Sequence, residues 1–112
     1  QDPFTIMSCD NIPHNGDVTH HCMVQMASHM FPNDTTFVDW VKCSVKCPNS
    51  MVDRITPATT EANRRHIQTT YGYDDRSSVV CEPFRQWVIE DDFVNGLRPA
   101  WDTLDTVTVV PK

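Results

Sequence analysis

Five cysteines crossing a core too thin to hold itself together are what most limits this fold. Leucine occurs only at positions 97 and 104, and apolar residues fill 39% of the 112 positions. Valine, threonine, methionine and a few aromatics must therefore do the packing. A chain of this length supports one modest core, and a thin core of that size calls for covalent help. Cys9, Cys22, Cys43, Cys47 and Cys81 are the residues able to give it. The expectation is a single disulfide-stapled domain over residues 1–112, secreted into an oxidising, extracellular setting.

Two further features point the same way. The sequence opens at Gln1 with no methionine, basic region or apolar leader, as a mature protein would after signal-peptide removal. Asn33-Asp34-Thr35 is an N-glycosylation sequon at a turn-like Pro-Asn-Asp step, which makes Asn33 a candidate glycan acceptor. The net charge of −6 argues against nucleic acid as a partner, because phosphate contacts need a basic face. No apolar run approaches the ~18 to 20 residues that span a bilayer, so no membrane span is expected.

Local signals predict a mainly α fold. Residues 1–16 carry Pro3, Pro13 and Asn15-Gly16 and read as an irregular arm anchored by Cys9. Asp17 can cap a helix over about 18–31 that Pro32 stops, and Thr36 with Asp39 can open a second over about 36–47 that Pro48 stops. Their short connection predicts an antiparallel hairpin. A weaker helix over about 58–71 ends at Gly72, and a last one over about 83–94 starts at Pro83 and stops at Asn95-Gly96. The helical core thus covers 17–96. An extended tail, 97–112, includes the β-branched run at 106–110.

The stretch HHCMVQMASHMF, residues 20–31, gathers three histidines, three methionines and a cysteine. Helical metal chelation needs ligands three or four residues apart, and no two of these histidines have that spacing, so no metal and no cofactor is assigned. Cys43 and Cys47, four apart on a helix, can reach two separate partners. Hairpin geometry brings Cys22 to one of these two, and Cys43 is the preferred choice. Cys47 is left for Cys9, the preferred partner, or Cys81, and Cys81 becomes a buried spare thiol or the link of a disulfide-bonded homodimer. Each bridge would contribute roughly 2 to 4 kcal/mol.

No catalytic signature stands out. There is no Gly-x-Ser-x-Gly elbow, and three glycines leave little room for an oxyanion or phosphate loop. The helical Cys-x-x-His-Asp of secreted phospholipases is absent, as is the closing Cys-x8-Cys of insect odorant-binding proteins. Asp91 interrupts the apolar stripe of Phe84, Trp87, Val88 and Val94. A buried carboxylate must be paired or protonated, so Asp91 meets either an arginine such as Arg98 or Arg64, or a cation on a ligand or partner. Glu90, Asp91 and Asp92 together form an acidic patch that a basic receptor surface could use. The resulting expectation is a non-enzymatic secreted interaction protein: a signalling ligand, pheromone, toxin-like effector or inhibitor that recognises a protein receptor. The alternative is an extracellular carrier of small hydrophobic molecules, with Met23, Met26, Met30, Met51 and Trp87 lining an adaptable pocket.

Overall fold

A computed structural model describes residues 2–51 and 54–112 of the chain. Its first helix, α1 (Asn15–Met30), begins two residues before the Asp17 that the sequence offers as a cap. His14 precedes it in the left-handed conformation, φ 52° and ψ 45°, and makes no side-chain cap. The orphan N–H of Asp17 donates instead to Asn49 Oδ1 at 3.0 Å, from 32 residues away in the chain. The helix is capped by a distant segment rather than by its own neighbour.

The second helix, α2 (Thr35–Ser44), follows a short turn and packs on α1 as the hairpin reading requires. Its cap is Asp34, whose Oδ1 accepts from Phe37 N at 2.9 Å, so the expected Thr36–Asp39 start lies two residues too late. Phe31 and Phe37 meet edge-on across the turn, with centroids 5.1 Å apart. The helix ends at Ser44 because Val45 swings to extended backbone, φ −77° and ψ 134°. Lys46 then joins the N-terminal arm: Ile6 N donates to Lys46 O at 2.9 Å and Lys46 N to Phe4 O at 3.3 Å. The arm is thus held by backbone hydrogen bonds rather than by Cys9.

Three short strands form a mixed sheet in the order β1 (Ser50–Met51), β2 (Trp87–Glu90), β3 (Val107–Val110). β1 runs antiparallel to β2 with Ser50 opposite Ile89, and β2 runs parallel to β3 with Trp87 opposite Val107. This corrects the helix expected over 83–94. Trp87-Val88-Ile89 is an aromatic and β-branched run, which favours a pleated strand over a helix. Non-local pairing with Val107–Val110 completes it, and no local signal in 83–94 could announce that partner. Asn95-Gly96 does terminate a turn, with both residues at positive φ, but it closes a short 3-10 segment (Val94–Gly96).

The fold class is therefore α/β, not mainly α. Nor is it stapled: all five cysteines are free, with Cys47 buried and the other four exposed. The expected Cys22–Cys43 and Cys9–Cys47 bridges and the Cys81-linked homodimer are corrected accordingly. The core that remains is small, built from Ala27, Val41, Val45, Cys47, Ile89 and Phe93.

The chain divides into two compact units, one of residues 1–52 and 85–112, the other of residues 53–84. The second unit contains α3 (Glu61–Tyr71). Thr60 and Asn63 cap each other's backbone N–H groups at its start, and Gly72 ends it at φ 80°. Within the same unit Arg54 Nη1 donates to the sulfur of Cys81 at 3.3 Å.

One glycine is dictated by packing rather than by dihedral freedom. A Cβ on Gly16 would lie 2.4 Å from Cys47 O and 2.5 Å from Pro48 O, both rigid backbone atoms. The start of α1 therefore touches the 47–48 segment main chain to main chain. Gly16→Ala is expected to destabilise the protein by about 3 kcal/mol, since backbone rather than a flexible side chain must yield. Gly72→Ala, with open space around it but φ +80°, should cost only about 1 kcal/mol. Thermal unfolding of the two variants side by side checks the ranking.

Candidate functional site

The tightest polar construction in the first unit is centred on Asn15, which is 1% exposed. Its Nδ2 donates to Ser50 O at 2.9 Å, Asp10 O at 3.1 Å and, more weakly, Ser8 O at 3.4 Å, while its Oδ1 accepts from Ser50 N at 2.9 Å. One side chain thus ties the arm, the start of α1 and β1 together. A buried amide left without these partners would cost about 1–3 kcal/mol per group.

Asn49 continues the network into the sheet. Its Nδ2 donates to Glu90 Oε1 and to Asp17 Oδ2, both at 3.1 Å, and its backbone N–H donates to Glu90 Oε2 at 2.9 Å. Glu90 N donates back to Asn49 O at 3.0 Å. Both oxygens of the Glu90 carboxylate are therefore occupied inside the molecule.

Beside this network lies a cleft of about 110 Å³, lined by Asp17, His20, Lys42, Lys46, Cys47, Asp92 and Lys112 along with Val45. Lys112 Nζ donates to Asp92 Oδ2 at 2.7 Å and lies 3.8 Å from Asp17 Oδ1, and Lys46 Nζ lies 3.6 Å from Asp92 Oδ1. Burial would raise the Asp92 carboxyl, but the hydrogen bond and charge of Lys112, aided by Lys46, outweigh it and hold the group below the usual carboxylate range. Asp92 in turn raises Lys112. Burial pushes the Cys47 thiol up despite the opposing charge of Lys112, so this thiol is held neutral rather than activated.

A second, broader groove of about 540 Å³ runs along β3 and contains Asp91, Arg98 and Asp102. Arg98 Nε contacts Asp91 Oδ1 at 2.9 Å and its Nη1 contacts Asp102 Oδ1 at 2.9 Å. The Arg98 hydrogen bond lowers the Asp102 carboxyl. Of the two arginines expected for Asp91, the structure selects Arg98.

The sequence-predicted site residues do not assemble as expected. Glu90, Asp91 and Asp92 are consecutive, yet each turns to a different internal partner, so they form no free acidic patch. Met26 and Met30 are 59% and 61% exposed, and Met51 is also exposed, while Met23 is half-buried on α1. Trp87 is half-buried and donates its indole N–H to Ser50 Oγ at 2.7 Å. Asn33 is exposed in the α1–α2 turn. Asn15, Gly16, Asn49 and Lys112 were missed. Asn15-Gly16 has the look of a turn, and the role of the other two exists only through long-range contacts. Among the described residues, no group of three or more His, Cys, Asp or Glu side chains could hold a metal ion, and no helix is long and apolar enough to cross a membrane.

Comparison with known proteins bears directly on this site-poor picture. The family model for the mannitol dehydrogenase Rossmann domain matches residues 1–103. The mannitol 2-dehydrogenase of Cereibacter sphaeroides is 50% identical over 109 residues, 97% of this chain and 22% of its own length. The D-mannonate oxidoreductase of Escherichia coli (strain K12) is 46% identical over 99 residues, 88% of this chain and 20% of its own. Among solved structures, Pseudomonas fluorescens mannitol 2-dehydrogenase, in a ternary complex with NAD and D-mannitol, is 48% identical with a TM-score of 0.63. That match covers 97% of this chain and 21% of the other. The chain spans about a fifth of the length of these relatives.

These matches overturn the expectation of a non-enzymatic secreted signalling, toxin-like or inhibitory protein with a receptor partner, and that of an extracellular hydrophobic carrier. The relatives are oxidoreductases, and the secreted assignment loses its footing with the disulfides it was built on.

Two outcomes follow from the geometry. Thiol titration of the native protein with Ellman's reagent should label Cys9, Cys22, Cys43 and Cys81 quickly, and Cys47 only on denaturation. Asp92→Asn should lower stability at neutral pH by about 1 kcal/mol, a value already discounted for solvent screening. Because the folded-state pKa of Asp92 is depressed from 3.8, this contribution is present above the unfolded value and is lost as pH falls through the folded one. The melting temperatures of parent and variant should therefore converge in acid, which a pH series of thermal melts reads out.

Proposed function

This chain belongs to the mannitol dehydrogenase family, and from that premise we propose that the protein is a nicotinamide-dependent dehydrogenase of polyols or the related sugar acids. The observation that carries the reading is the likeness to the Pseudomonas fluorescens enzyme, whose structure holds NAD together with D-mannitol. In this reaction class a hydride leaves a carbinol carbon, the hydroxyl proton is released, and the nicotinamide, when bound, supplies the hydride acceptor.

The described residues of this chain do not fit the cofactor's pyrophosphate. Dinucleotide folds bring a glycine-rich turn against the phosphates so that the backbone can approach them. Here the space beside Gly16 is filled by the backbone of Cys47 and Pro48, while Gly72 and Gly96 sit singly at turns of positive φ with nothing within 4 Å. The contribution assigned to these residues is accordingly architectural. Asn15 and Asn49 lock α1, the arm and the β1–β2 pair into one rigid section, the kind of support that holds reacting groups in place elsewhere in an enzyme.

The test is an activity assay on the purified protein carrying this sequence, supplied with NAD or NADP. NADH or NADPH absorbance should rise with D-mannitol, D-sorbitol or D-mannonate, and the preferred alcohol identifies the substrate. No reduction of either cofactor with any of the three would overturn the proposal.

A further inference from the structure

Asparagine followed by glycine occurs twice in the chain, at Asn15-Gly16 and at Asn95-Gly96. The dipeptide is chemically reactive, because glycine has no Cβ to keep the asparagine side chain off its amide nitrogen. The fold treats the two copies in opposite ways.

At the first copy the reacting groups are pinned. Asn15 is 1% exposed. Its Nδ2 donates to the carbonyls of Ser50, Asp10 and Ser8, and its Oδ1 accepts from Ser50 N at 2.9 Å. Gly16 stands main chain against main chain with Cys47 and Pro48, so it has no room to turn. At the second copy both residues are exposed. The Asn95 side chain makes no hydrogen bond among the described residues, and open space surrounds Gly96. Asn95 also holds the left-handed conformation, φ 56° and ψ 17°, which a residue with a Cβ adopts at a cost. Attack requires the Gly96 N–H to leave Phe93 O, which it meets at 3.0 Å. The only other backbone bond closing this turn runs from Leu97 N to Val94 O at 3.1 Å. Opening so short an exposed 3-10 turn is a local event that leaves the sheet intact.

We propose that Asn95 is a site of spontaneous deamidation in the folded protein, and that the fold protects Asn15 from the same reaction. The Gly96 nitrogen, its proton lost to base, bonds to Cγ of Asn95. The bond from Cγ to Nδ2 breaks, and Nδ2 takes up a proton and leaves as ammonia. Water then opens the cyclic imide at either carbonyl. Opening at Cγ gives aspartate. Opening at the backbone carbonyl gives isoaspartate, which carries an extra methylene in the main chain between buried Phe93 and Arg98. The sum consumes one water and releases one ammonia, with no oxidation or reduction. The site is independent of the dehydrogenase reading, because it uses no cofactor and its test reads covalent change rather than turnover.

The experiment ages the intact protein in mildly alkaline buffer, in parallel with a sample held in denaturant, and follows both by peptide mapping with mass spectrometry. In the folded protein Asn95 should convert about tenfold faster than Asn15, with isoaspartate in excess over aspartate. In denaturant the two rates should become alike. Asn95→Gly, which suits the positive φ, should abolish the acidic species that isoelectric focusing finds in the aged parent. Equal rates at Asn15 and Asn95 in the folded protein would overturn the proposal, as would conversion of Asn95 only in denaturant.

Discussion

The structure of the first unit hangs on the contact between the start of α1 and the segment 47–50. Two residues make that contact possible, and neither has a substitute. Gly16 lets main chain touch main chain, since any Cβ there would collide with the carbonyls of Cys47 and Pro48. Asn15 is the right chemistry beside it, because a primary amide both donates and accepts. Aspartate, an acceptor only, could take the Ser50 N–H but would face the carbonyls of Ser50, Asp10 and Ser8 with no proton to offer. From Ser50 the connection passes to Trp87 through its indole N–H, and from the adjacent Asn49 to Glu90. Both steps reach β2, the central strand.

That sequence of contacts explains why charge on this molecule does little as a patch and much as a register mark. Exposed ion pairs are worth about 0–1 kcal/mol each, so the pairings of Asp91 with Arg98 and of Asp92 with two lysines are weak sources of stability. Their positions say more. Glu90, Asp91 and Asp92 each find a different partner because an extended backbone sends successive side chains to opposite faces. The two-point grip of Asn49 on Glu90 holds β1 against β2 at one alignment. A slip of one residue would turn Ile89, 1% exposed, out of the core.

Helix positions could be read from the chain because their signals are local. Pro32 and Gly72 mark real ends, and Asp34 and Thr60 are real caps, although Asp17 and Thr36 were the more obvious choices for α1 and α2. The final extended run at Val107–Val110 was equally legible from its β-branched content. What could not be read was the partner of that run. Phe84, Trp87 and Val88 have helical spacing as well as strand composition, and only pairing with β3 decides between them. Asp91, out of place on the supposed apolar stripe, was the one local sign of trouble, and its arginine partner could be anticipated. The lysine cleft was invisible for the same reason as the sheet: Lys42 and Lys112 lie seventy residues apart and meet only after β2 and β3 have paired.

A chain poor in core has two physical remedies, covalent links within itself or apolar neighbours from outside, and the two make opposite demands on its surface. Staples allow small, polar, closed surfaces, whereas dependence on neighbours leaves large apolar side chains uncovered. The first unit shows the second pattern: Phe4, Met7, Met26, Met30 and Phe31 are all exposed, and Phe31, Phe37, Trp40 and Phe4 form a continuous run of ring contacts. In the relatives this stretch is about a fifth of a longer polypeptide. Five free thiols and a thin core are therefore consistent with each other. Low leucine content, taken as a demand for disulfides, measured instead how much apolar surface a stretch of this family can leave uncovered by its own side chains.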